Sequence, residues 1–226
     1  PPDWRLAYEY FQLCCGDHYD FIAFIVDTAS RPAGSQTGPT FGQCVYNKVK
    51  GINHWQGDNY DDRPRYGTNR LLGFEAFYPD TISQRWFRLM EIGHVWGACV
   101  YFKTIQTGAS QSNLLADWAH WAEGLSDDTM GNFSPLGNDG LTYTDRKQLV
   151  NGLDTFSNRA LHDNEFVYSP LDLYLMGMLP PTEVPPFYYI ENRRWDSTNH
   201  YSTGTRRDLT LDNIKLALGD RIPIAA

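Results

Sequence analysis

The sequence predicts an α+β domain, and three observations carry that expectation. Three β-prone runs fill the first third of the chain, a long apolar helix follows them, and the segments beyond that helix read as helical or irregular. With no internal repeat and no low-complexity tract, one domain is expected over 1–226. A sheet and a central helix occupy 1–105, and a mainly helical and irregular part occupies 106–226.

Residues 4–14 carry their apolar side chains on a helical stripe, with Gly16 as the expected stop. Residues 19–26 are a nearly continuous β-prone run and read as a central strand covered on both faces. After a Ser, Pro, Gly and Thr loop at 30–39, residues 41–52 alternate as a strand does. Cys44, Tyr46 and Lys48 fall on one face and Val45, Asn47 and Val49 on the other. The polar stretch 53–69 is a long loop of the kind that carries function or an ion. Its Asp58, Asp61 and Asp62 offer oxygen ligands for calcium without the ordered spacing of a calcium loop, so solvated charge is the plainer expectation. Residues 69–78 then form a third strand.

The central helix is expected over 86–102, where Trp86, Phe87, Leu89, Met90, Ile92 and Val95 recur at helical spacing. Glu91 and His94, three apart, share one face of it. A carboxylate and an imidazole side by side on an apolar helix are costly to bury, which marks them for chemistry. The bland alternative for His94 is a hydrogen-bonded core histidine.

Beyond a Gly, Ser, Gln and Asn linker at 106–113, residues 114–125 read as a short amphipathic helix. Residues 126–168 are mostly polar, with Phe133, Leu136, Tyr143 and Phe156 as apolar anchors. Ser169 and Pro170 supply the N-cap and first-turn proline for a helix over 171–178, which the prolines of 179–186 end. A strand at 187–191, a polar turn region at 192–205 and an amphipathic helix at 211–218, stopped by Gly219, complete the chain.

A net charge of -8 and an aromatic content of 15%, with 14 tyrosines and 7 tryptophans, argue against nucleic acid, whose phosphates an acidic surface repels. No run approaches the roughly 18 to 20 apolar residues of a membrane-spanning helix. The acidic, aromatic composition and a start at Pro1-Pro2-Asp3 suit a processed, secreted or extracytoplasmic protein. Of the four cysteines, Cys14 or Cys15 bridged to Cys44 and buried free thiols are both open readings, and none has metal-binding spacing.

The residues Glu91-Ile92-Gly93-His94 resemble the last four positions of the H-E-x-x-H motif of the zincin metallopeptidases. His94-Val95-Trp96-Gly97 also follows the H-x-x-G continuation of the metzincin branch, with Val100 in place of that branch's third histidine. Met90 stands where the first zinc-binding histidine belongs. Either it replaces that histidine, or Leu89-Met90-Glu91 is a family-like Leu-Met-His-Glu that has lost one residue. The resemblance implies a zincin-like fold, a small mixed sheet packed on an active-site helix. It further implies a zinc-dependent hydrolase of peptide or protein substrates, with Glu91 as general base and His94 as a zinc ligand. By the same resemblance, the strand before the helix is expected to run along the cleft and pair with extended substrate.

A downstream ligand is expected at His120, as in the glutamate-type branch, with Glu123 as its alternative and Asp117 as a carboxylate orienting His120. Ordinary packing of Trp118, His120 and Trp121 is the rival reading. Met176-Gly177 resembles the methionine turn beneath the metal, and Tyr174 or Asp172 on the same helix would face the cleft to steady a transition state. Helix-core packing is the bland alternative for all three. The rival functions are a catalytically inactive pseudopeptidase that kept the cleft as a protein-binding module, and a glycan-binding surface of exposed Trp and Tyr.

Overall fold

Asp3 starts the first helix by accepting the amide of Leu6, and α1 (Trp4–Cys15) runs to Gly16, whose positive φ of 76° lets the chain turn away. The structure is a computed structural model that describes residues 3–27, 41–46, 61–79, 85–93, 95–96, 101–102, 113–114, 116–117, 120–121, 141–150, 153–160, 167–196 and 201–221. It is mixed α+β, with small sheets and five α-helices among the described residues.

The first sheet comprises β1 (Phe21–Ile25), β2 (Phe41–Cys44) and β3 (Gly73–Phe77), in the order β1-β3-β2, with a short helix α2 (Arg63–Tyr66) before β3. β3 is parallel to β1 and antiparallel to β2. The run at 19–26, expected to be the central strand, is not central. The central strand is β3, buried at all five positions, while β1 is an edge strand on which Ala23 and Ile25 are exposed. A strand paired along both edges has no free amides or carbonyls for substrate, so β3 cannot add an extended peptide.

α1 covers one face of this sheet. Its Tyr8 joins Ile22, Val45, Tyr66, Leu71 and Phe74 in the core, and Trp4 packs on Phe24 and Phe74 at ring separations of 5.7 and 5.8 Å. The carboxylate of Asp17 clips the chain ahead of β3 to the end of α1. It accepts from the Tyr8 hydroxyl at 3.0 Å, the Thr68 hydroxyl at 2.5 Å and the Asn69 amide at 2.8 Å.

The opposite side of the sheet meets α3 (Arg85–Gly93), which packs against β2 and β3. This helix is shorter than the expected 86–102. After Gly93 the chain enters a turn, with Val95 donating to the Ile92 carbonyl and Trp96 to the Gly93 carbonyl, and Tyr101–Phe102 is already a strand, β4. Glycine costs about 1 kcal/mol in a helix interior, so Gly93 and Gly97 make this the weak point of the apolar run.

β4 pairs with β5 (Asn113–Leu114), and β6 (Ala116–Asp117) pairs with β7 (His120–Trp121). These pairings replace the amphipathic helix expected over 114–125; Trp118 and Trp121 suit strands as readily as helices. The larger correction concerns the second half of the chain. In place of a mainly helical and irregular part, β8 (Leu141–Val150), β9 (Leu153–Ala160), β10 (Phe187–Asp196) and β11 (Tyr201–Leu209) form an antiparallel sheet ordered β10-β11-β9-β8. The polar turn expected at 192–205 lies largely within its strands, with a register shift between Glu191 and Arg194 and Asn192 at a φ of 53°.

Two helices complete this half where the sequence places them. α4 (Pro170–Met176) starts on a capping box in which Ser169 and Asp172 bond reciprocally, and ends at Gly177 in the left-handed conformation. α5 (Leu211–Leu218) packs against β4. The Arg221 guanidinium fills the space behind Gly177, and its Nε donates to the Leu175 carbonyl at 3.1 Å. No helix among the described residues is long and apolar enough to cross a membrane.

Candidate functional site

Glu75 sits in the middle of β3, inside the otherwise apolar run Gly73-Phe74-Glu75-Ala76-Phe77. Its cross-strand neighbours are Ala23 in β1 and Gly42 in β2, neither of which brings a polar side chain to that face. Glu91 lies on α3, which packs on this strand. Both carboxyls are only 5% exposed, and among the described residues neither has a hydrogen-bond or ion-pair partner.

Bare burial disfavours charge, and the two acids respond accordingly. Burial raises Glu91 from the ordinary carboxylate range to about 7. Glu75 is pushed up to about 8, by burial first and then by the Glu91 charge, which places the pair within electrostatic reach of each other.

Several contacts fix the walls of this site. Gly73, on the same face as Glu75, lets the turn after α3 come close: a Cβ there would sit 2.9 Å from both the Gln43 carbonyl oxygen and Val95 Cγ2. The Cys44 thiol lies 4.0 Å from the Val95 carbonyl oxygen, and burial pushes its pKa up to about 12, so it stays neutral. Trp96 packs on Phe21 at a ring separation of 5.6 Å. From the other side, the Tyr168 hydroxyl donates to the Leu89 carbonyl at 2.6 Å and ties α3 to the start of α4. Burial, then the charges of Asp172 and Glu75, raises the Tyr168 pKa, so this phenol is also neutral.

Of the residues expected from the sequence, Glu91 is thus buried against β3, while His94 and Glu123 lie outside the described residues. His120 falls on β7, directly opposite Asp117 on β6, so the ladder makes neighbours of the two residues read as ligand and orienting carboxylate. Tyr174 is buried on α4, and the charged groups bearing on it are Arg221, Lys215 and Asp220, a different neighbourhood from that of Glu91. Asp172 is held in the cap of α4, accepting from the Ser169 amide at 2.7 Å and the Ser169 hydroxyl at 2.9 Å. Met176 is buried in the last turn before Gly177.

Asp61 and Asp62 do not form a calcium loop, because Arg63 binds Asp61 at 2.6 Å and Arg65 lies 3.6 Å from Asp62; Asp58 lies outside the described residues. Cys14 and Cys15 are exposed, Cys44 is buried, and all three are free.

Two residues of the site went unnoticed in the sequence. Glu75 was visible as a lone acid in an apolar strand, and Tyr168 as the aromatic residue preceding a Ser-Pro cap.

The chain matches no protein-family model, no curated protein and no solved structure. The site therefore stands on its own residues and on the resemblance of Glu91-Ile92-Gly93-His94 to the zincin motif.

Proposed function

We propose that this chain is a zincin-like metallopeptidase, a hydrolase of peptide or protein substrates in which Glu91 is the general base. The observation that carries this is the state of Glu91: a carboxyl buried to 5% exposure on the helix that bears the motif, with its proton affinity moved to about 7. A base poised near neutrality both takes and releases a proton at working pH, whereas an exposed glutamate is too weak a base to do so efficiently.

Zinc, when bound, would be held by His94 together with His120, or with Glu123 in its place, and would supply a polarised water as nucleophile. The donor set as it stands is short of a zinc site. Among the described residues no group of three or more His, Cys, Asp or Glu could hold a metal. Met90, at the place of the first histidine, is a buried thioether, a soft donor poorly matched to zinc. The chain's own contributions are a desolvated Glu91 to accept a proton, Gly73, which leaves room for Val95 to approach β3, and Tyr168 to hold α3 in place.

The burial of Met90 favours a second reading, a pseudopeptidase that keeps the cleft for binding protein. Metal analysis separates the two. The unmodified chain is expected to purify with little zinc. Met90→His, or insertion of a histidine between Met90 and Glu91, is expected to bring zinc toward one per chain. The insertion turns the preceding part of the helix by about 100° relative to Glu91, so only the version that matches the real register should gain metal. If neither version gains zinc while both retain the native circular dichroism spectrum, the metallopeptidase assignment falls.

A further inference from the structure

The first helix carries two apolar stripes of the same spacing. Trp4, Tyr8 and Phe11, four and then three residues apart, turn toward the first sheet: Tyr8 lies in its core, and Trp4 and Phe11 pack against that core. Leu6, Tyr10 and Leu13 repeat the spacing two residues further on, about 200° around the helix. These three are 61%, 71% and 85% exposed. Apolar side chains scattered singly on a surface are ordinary, but three in one line along a helix form a patch. A four-three spacing is the one with which two helices bury a shared seam, and a helix apolar on opposite sides has a use for cover on both.

We propose that the outer stripe of α1 is a self-association surface on which a second copy of this chain docks, α1 against α1. Charge is the reason for choosing a second copy. The chain carries a net charge of -8, so two copies repel over most of their surface. Along α1 that repulsion is least. Its two charged residues, Arg5 and Glu9, lie 3.7 Å apart and cancel, and the Asp3 carboxylate ahead of them is engaged with the Leu6 amide at 3.1 Å. A partner recruited by charge, basic or acidic, finds no net charge on the helix to recognise. A copy of the same stripe needs none, because across a two-fold axis one patch meets itself and no second, complementary surface is required. Two leucines and a tyrosine fall short of the roughly 800 Å² per partner of a stable interface, so the dimer is a weak one that forms as concentration rises.

The test is sedimentation equilibrium of the whole chain from about 10 to about 500 μM, the range in which a weak dimer forms. A reducing agent keeps the exposed Cys14 and Cys15 from linking chains covalently. Four proteins are compared: the unmodified chain, Leu6→Glu, Leu13→Glu, and Leu216→Glu on α5, whose leucine is 53% exposed and lies away from the stripe. The average mass of the unmodified chain is expected to climb from one chain toward two across the range. Leu6→Glu and Leu13→Glu should stay at one chain throughout, and Leu216→Glu should climb as the unmodified chain does. Leu13 is the most exposed of the three, so its replacement leaves the fold intact, and an unchanged circular dichroism spectrum checks this. An unmodified chain that stays single at every concentration overturns the proposal. So does association that survives Leu13→Glu, or that Leu216→Glu removes equally, since the apolar contact would then not be the stripe of α1. The measurement involves neither zinc nor turnover and is independent of the peptidase assignment.

Discussion

Two sheets of this protein treat their acidic residues in opposite ways. On the C-terminal sheet, Glu191 of β10 meets Arg207 of β11 at 2.8 Å, and Asp208 meets Arg206 at 2.7 Å, all at or near the surface. In the N-terminal sheet, Glu75 lies at the centre of β3 with Ala23 and Gly42 across from it, and Glu91 is packed above without a described cation. The first arrangement is what folding alone would select, since exposed pairs cost little and keep the strands soluble. The second costs stability and has no structural use that an apolar side chain would not serve better. On the function proposed above, chemistry belongs to the N-terminal sheet and its helix, and scaffolding to the C-terminal one.

The largest expected effect is on the pH dependence of stability. Glu75 has a folded-state pKa raised to about 8, above the usual value near 4.5. Its protonated form therefore favours the fold fully below about pH 4.5, and that contribution is lost as pH rises through about 8. Glu75→Gln should match the unmodified protein at pH 5 and exceed its stability at pH 9 by on the order of 3 to 5 kcal/mol, at about 1.4 kcal/mol per pKa unit. Urea denaturation at the two pH values measures this. Equal curves at pH 9 would erase the contrast between the sheets.

A substitution on the scaffold side should be smaller and indifferent to pH. Gly177 has a φ of 82°, and a Cβ there would meet the Arg221 guanidinium at 2.6 Å. Gly177→Ala is expected to cost roughly 1 to 3 kcal/mol from the left-handed backbone and the displaced arginine. The loss should be the same at pH 5 and pH 9. A loss that grew with pH would tie α4 to the buried carboxyls and blur the division.

The smallest effect belongs to Glu191→Gln. The Glu191 and Arg207 side chains are 32% and 48% exposed, and exposed pairs of this kind contribute about 0.2 to 1 kcal/mol. Denaturation at low and high salt should show a loss within that range that vanishes as salt rises. A loss as large as that of Gly177→Ala would mean that the C-terminal sheet also depends on its charges.

The features legible in the sequence were those specified locally. Asp3 and Gly16 bound α1, Ser169-Pro170 begins α4, and Gly219 ends α5, because caps depend on the few residues beside them. Strand order was not legible: the apolar run of β1 looked central, yet β3, the last of the three in the chain, takes that place. The β8 and β9 hairpin was hidden by its polar composition, although Asn151-Gly152 between Val150 and Leu153 is a strong two-residue hairpin signal. For the site, Glu91 stood out because the motif names it. Glu75 did not, because its burial depends on α3 packing across β3, a contact that no local pattern encodes.

The central claim is that the buried carboxylate of α3 performs chemistry while the paired carboxylate of β10 does not. The most direct measurement is hydrolysis of an unstructured protein substrate by the histidine-restored chain that binds zinc, with Glu91→Gln and Glu191→Gln introduced separately. The expected result is chelator-sensitive cleavage that Glu91→Gln lowers by about 100-fold or more, in line with loss of a general base, with zinc retained and with Glu191→Gln unchanged. Full activity in Glu91→Gln, or a loss in Glu191→Gln as large as that in Glu91→Gln, would contradict it.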